Sequence, residues 1–75
     1  MQFDYSKLRG RIIEKFGSIK AFAEAYGLTS VTMSNKLNNK VTISTDDIVR
    51  MSEPEFLDIP PSEYHTYFFA PKVHE

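Results

Sequence analysis

The chain has 75 residues, of which 41% are hydrophobic and 25% charged, with a net charge of −1; this length allows one domain, and this balance excludes both a disordered polyelectrolyte and a uniformly basic nucleic-acid binder. No cysteine is present, which excludes disulfides and thiolate metal sites and points to a reducing, cytoplasmic setting. No apolar run approaches the roughly 18 residues of a membrane span, and the start lacks a signal-peptide profile.

A first helix is expected over Asp4–Phe16, where Tyr5, Leu8, Ile12 and Phe16 recur at spacings of three and four. Asp4 would complement the positive end of its dipole. Gly17 stops it, and Ser18 is suited to cap a second helix over Ile19–Tyr26, with Ile19, Phe22, Ala23 and Tyr26 on the inner side. After Gly27-Leu28, Thr29 can cap a third helix to about Asn38, with Met33 and Leu37 inward. Asn39-Lys40 ends it, because asparagine tolerates the left-handed conformation. Val41-Thr42-Ile43 is β-branched but has no partner strand, so it is expected to be an extended connector.

Ser44 and Asp47 have the spacing of a capping box at the head of a fourth helix, Thr45 to Met51 or Ser52, with Ile48 and Met51 inward. Pro54 disfavours its continuation. Pro60-Pro61 opens a last short helix over Pro61–Phe69 that buries Tyr64 and Phe68, with Tyr67 beside them, and Pro71 ends it. The expected fold is all-α, four to five short helices in an orthogonal bundle containing a helix-turn-helix. The domain is expected over residues 1–70, with a frayed tail over 71–75.

The informative segment is Ile19–Leu37. Two helices joined by a short, steep turn need a residue that adopts positive φ, and Gly27 supplies it. Ala23, four residues earlier, is small enough for the third helix to cross closely, while Leu28, Met33 and Leu37 fill the space between. The other side of the third helix then shows Val31, Asn35 and Asn38 at i, i+4 and i+7, flanked by Ser30 and Ser34. These side chains are small or polar and none is acidic, as a helix lying in a major groove requires. A plain helical hairpin with a glycine corner is the alternative for this segment.

This segment resembles the helix-turn-helix of the XRE/Cro family of phage repressors, and Ser34–Lys40 is similar to the end of their recognition helix. The opening Phe3–Ile12 and the closing Tyr67–Lys72 resemble short Cro-like proteins of phages and prophages in Gram-positive bacteria, leaving a gap at Ser52–Leu57. The resemblance implies base reading by Ser30, Val31 and Asn35, and Ser34, which flanks the same stripe, is assigned with them. The resemblance also implies phosphate contacts by Asn38, Lys40 and the start of the second helix, where Ser18 and Lys20 stand, and Lys36 is assigned to phosphate with them. Two positions depart from the family pattern: Ile19 stands where many relatives carry a phosphate-clamping glutamine, and Asn39 where many carry glycine.

The charge is unevenly placed. Residues 1–40 hold seven basic and three acidic residues, +4, and residues 41–75 hold two basic and seven acidic, −5. Such asymmetry suits one polyanion-facing side and another side for a different partner. Tyr67, Phe68 and Phe69 either close the core or contact a second subunit of a homodimer, and the sequence leaves both readings open. His65 and His74 are isolated, and Asp46-Asp47 is explained by capping, so no catalytic, cofactor or metal site is expected. The leading expectation is a dimeric, sequence-specific regulator that binds double-stranded DNA. The alternative is an antirepressor or modulator that uses the same fold to engage a partner repressor, and a third is an antitoxin-like protein.

Overall fold

A computed structural model describes residues 3–72 of the chain. Five α-helices, α1 (Ser6–Phe16), α2 (Ile19–Tyr26), α3 (Ser30–Leu37), α4 (Thr45–Met51) and α5 (Tyr64–Phe68), follow one another, the last entered through a 3-10 turn at Pro61–Glu63. No strand occurs among the described residues, so the fold is all-α. Nor is any of these helices long and apolar enough to cross a membrane.

Local chemistry explains the helix ends. The Ser18, Thr29 and Ser44 hydroxyls each accept a hydrogen bond from the backbone N–H three residues on, satisfying one donor left free by the first turn. Gly17 and Gly27 close α1 and α2 in the left-handed region at φ 84° and 95°. α1 begins two residues later than expected. The Asp4 carboxylate accepts from the backbone N–H and hydroxyl of Ser6, so Asp4 lies outside the helix and holds its first turn. The last helix is also shorter than expected. Its proline-led entry winds as a 3-10 turn, and only Tyr64–Phe68 is α-helical.

The core is built from Leu8 and Ile12 of α1, Phe22, Ala23 and Tyr26 of α2, Met33 and Leu37 of α3, and Ile48 and Met51 of α4. Phe68 completes it from α5. Tyr64 and Tyr67, expected inside, are only half-buried against this core. Residues outside any helix add as much as a helix does: Ile43 from the extended connector, and Leu57 and Ile59 from the segment after α4, are all buried. That segment folds back through bonds from Leu57 N–H to the Met51 carbonyl and from Ile59 N–H to the Ser52 carbonyl, both within 3.0 Å. Phe56 sits edge-on to Phe22 and Tyr26, at 6.2 and 5.4 Å between ring centres. Such aromatic pairs contribute about 0.5–1.5 kcal/mol each beyond area burial.

The two ends of the described chain are tied together. Phe3 forms an antiparallel bridge with Pro71, and Asp4 N–H donates to the Ala70 carbonyl at 2.7 Å. Asn39, at φ 64°, accepts from Phe3 N–H and donates to the Phe3 carbonyl through its side chain. This pair of hydrogen bonds accounts for asparagine where a glycine would satisfy the backbone alone. The bridge at Pro71 runs one residue past the expected domain limit, and the rest of the expected tail, with His74, lies beyond the described residues apart from Lys72.

Candidate functional site

The α2–α3 unit is positioned by its turn. Gly27 and Leu28 N–H groups both donate to the Ala23 carbonyl, at 3.0 and 2.9 Å, and Ala23 itself is fully buried. Leu28 packs half-buried against the core, with Met33 and Leu37 beneath it. Since those two face inward, helical geometry turns Val31 and Asn38 to solvent and leaves Ser30, Ser34 and Asn35 partly exposed. Val31 is 68% exposed, more than any other large hydrophobic residue of the described chain. The Asn35 side chain makes no hydrogen bond among the described residues, while its carbonyl accepts from Lys40 and Val41.

The cations divide differently from the sequence expectation. Lys36, assigned to phosphate, instead donates to Asp47 at 3.1 Å and is half-buried there. Asn38 accepts a hydrogen bond from Arg9 through its side-chain carbonyl. Arg11 bonds Glu14 at 2.8 Å and the carbonyls of Leu57 and Asp58 at 2.8 and 3.0 Å. Lys20 and Lys40 are exposed and make no ion pair among the described residues, and Ser18 spends its hydroxyl on the α2 cap.

Asp47 is the residue whose role sequence reasoning missed. Only half of the expected capping box forms: Ser44 accepts from Asp47 N–H, but the Asp47 carboxylate turns to the Tyr26 hydroxyl, at 2.6 Å, and to Lys36. Partial burial pushes the Asp47 carboxyl up, but the hydrogen bonds from Tyr26 and Lys36 and the lysine charge outweigh it and hold its pKa below the usual value. Burial first, and the bond to Asp47 second, raise the Tyr26 hydroxyl well above its ordinary range. The Arg50 guanidinium lies 4.3 Å from the Tyr26 ring centre and donates to the Tyr26 carbonyl. No sequence spacing signals this network, because its members come from three helices.

Of the three residues assigned to a second subunit, Phe68 is 1% exposed and belongs to the core, so it cannot serve. Tyr67 is half-buried, and Phe69 is exposed on one side while its ring meets Phe3 edge-on at 5.6 Å. Among the described residues no group of three His, Asp or Glu side chains could hold a metal ion. The α3 surface thus offers an apolar knob, small hydroxyls and one free carboxamide: the means for binding.

Residues 1–71 match the family described as "Protein of unknown function (DUF739)", and the chain belongs to that family. No curated protein matches its sequence. Its structure is similar to the solution structure of the modulator of repression (MOR) of the temperate bacteriophage TP901-1 from Lactococcus lactis, with a TM-score of 0.80. The two chains are 44% identical, over 99% of this chain and 97% of that one.

Proposed function

We propose that this member of the DUF739 family is a phage- or prophage-encoded regulator that acts by engaging a partner repressor through the α3 surface of a Cro-like helix-turn-helix. The observation that carries this reading is the end-to-end similarity, at 44% identity, to a protein that modulates phage repression. The surface chemistry agrees with it. Val31 stands exposed near the start of α3, with the small or uncharged Ser30, Ser34 and Asn35 on the same side of the helix, the profile of an apolar anchor entering a pocket on another protein. Lys36 and Asn38, needed on phosphates for DNA reading, already hold partners within the chain.

The test is calorimetric titration of the protein with the repressor encoded beside its gene. Val31→Asp is expected to weaken association by about 30-fold or more, the cost of losing a central anchor, while Asn35→Ala changes it little. Equal binding by wild type and Val31→Asp overturns the reading.

One observation favours a second reading, a Cro-type regulator that binds operator DNA directly. The Asn35 side chain makes no hydrogen bond among the described residues and carries the carboxamide that pairs with adenine in a major groove. In that case Asn35→Ala weakens a specific operator by about 1–3 kcal/mol and leaves other DNA untouched. Mobility shifts with both variants separate the two readings.

A further inference from the structure

A groove of 540 Å³ runs between α4 and the proline-led entry to α5, and none of its lining residues belongs to α2 or α3. Val49, Ile59, Pro60, Pro61 and Tyr64 provide its apolar surface, and Glu53 and Asp58 stand on it as well. Val49 is 51% exposed, although α4 needs only Ile48 and Met51 for the core. The Ser52 hydroxyl, in a residue that also lines the groove and is 5% exposed, has no hydrogen-bond partner among the described residues. A buried hydroxyl without a partner is uncommon, because it forfeits hydration with no return.

The charge here is unbalanced. Glu53, Glu55 and Asp58 make no ion pair among the described residues. A hydrogen bond with Glu55, then burial and the Glu55 charge, raise the Glu53 carboxyl, and Arg50 opposes this only in part. Asp58 is held at φ 51°, in the left-handed region, while Arg11 grips the Leu57 and Asp58 carbonyls. The fold therefore maintains a strained residue whose carboxylate it does not neutralise.

We propose that this groove docks an extended segment of a partner protein that carries lysine or arginine beside apolar residues. Charge selects this occupant: a second copy packed groove to groove would set carboxylates against carboxylates, whereas a cationic segment relieves the crowding at Glu53. The flat, rigid faces of Pro60, Pro61 and Tyr64 suit an extended backbone, as aromatic-lined grooves that take extended proline-rich peptides do elsewhere. This docking is separate from the action proposed for α3 and shares no residue with it.

The experiment is an amide-resolved NMR titration of the full chain with the synthetic peptide Arg-Leu-Pro-Pro-Leu-Arg and with a twin carrying glutamate for both arginines. Saturable shifts are expected at Val49, Ser52, Ile59 and Tyr64 for the cationic peptide alone, about fivefold weaker at about 0.3 M than at about 0.05 M salt. Glu53→Gln and Asp58→Asn, the latter keeping a residue that tolerates positive φ, should each weaken binding about threefold. Val49→Lys should remove it, with an unchanged amide spectrum elsewhere showing that the fold persists. Val31→Asp should leave it unaltered, so failure of the α3 reading and failure of this one are distinguishable. Equal shifts with the acidic twin, shifts centred on α3, or no shifts at millimolar peptide overturn the proposal.

Discussion

Asp47 accepts the Tyr26 hydroxyl at 2.6 Å and the Lys36 ammonium at 3.1 Å, so a single carboxylate joins α2, α3 and α4. Removing the Tyr26 hydroxyl by Tyr26→Phe should cost about 1.5 kcal/mol, and Asp47→Ala, which strands a half-buried lysine as well, about 2–3 kcal/mol in urea unfolding. The network also sets an acid limit. The folded Asp47 carboxyl lies below its ordinary 3.8, so its contribution is complete above that value and is lost as pH falls through the lower folded one. Wild type should therefore lose stability below about pH 4 more steeply than Asp47→Asn, and parallel curves from urea titrations at successive pH values would refute this. Asn39 gives a second residue-scale expectation. Asn39→Gly keeps the left-handed turn but releases both bonds to Phe3, and thermal melts should show a loss of about 1–2 kcal/mol. The left-handed turn at Asn39 was legible from its residue type; the clasp on Phe3, 36 residues away, was not.

At the scale of elements, periodicity and capping chemistry carried most of the reading. α2 runs over Ile19–Tyr26 as expected, and the Ser18, Thr29 and Ser44 caps and the Gly27 turn form as their residue types imply. What periodicity could not show is core supplied by chain without a period: Ile43, Leu57 and Ile59 are buried from irregular segments. Their depth depends on backbone bonds such as Leu57 N–H to the Met51 carbonyl, which no local pattern announces. The same limit applies to the surface of α3. Its outward face followed from the inward Met33 and Leu37, but the engagement of Lys36 and Asn38 depends on α4 and α1. The α2–α3 crossing itself yields a discriminating test. Ala23 is fully buried where the turn begins, so Ala23→Leu should overpack the crossing and cost about 1–3 kcal/mol. Asn35 makes no side-chain bond to lose, so Asn35→Ala should be nearly neutral. Thermal melts giving the reverse order would mean that the two faces of α3 are exchanged.

Across the whole molecule, the contrast between a +4 first half and a −5 second half invites a picture of one DNA-facing side, and the internal bonding corrects its strength. Arg11 and Lys36 are paired with Glu14 and Asp47, while Arg9, bonded only to the neutral Asn38 amide, keeps its charge. That leaves Lys7, Arg9, Lys15, Lys20 and Lys40 as the first-half cations without an acidic partner among the described residues. Each phosphate neutralised on duplex DNA adds about −0.9 to the slope of log affinity against log salt. Even if all five of these cations reached phosphates together, they would give a slope no steeper than about −4.5. A regulator reading an operator would add to this a preference of about a thousandfold or more for its site over other sequences. A protein that works through a partner repressor needs no such preference. Fluorescence anisotropy with a duplex from beside its own gene and with a scrambled duplex should therefore give affinities within about threefold of each other, and a slope no steeper than that limit. Adding the repressor should remove the protein from DNA or carry it there only as a complex, because the surface proposed to bind the repressor is the same α3 face that would enter the groove. A thousandfold preference for the native duplex in the absence of the repressor would return Asn35 and its neighbours to base reading and displace the partner-binding account.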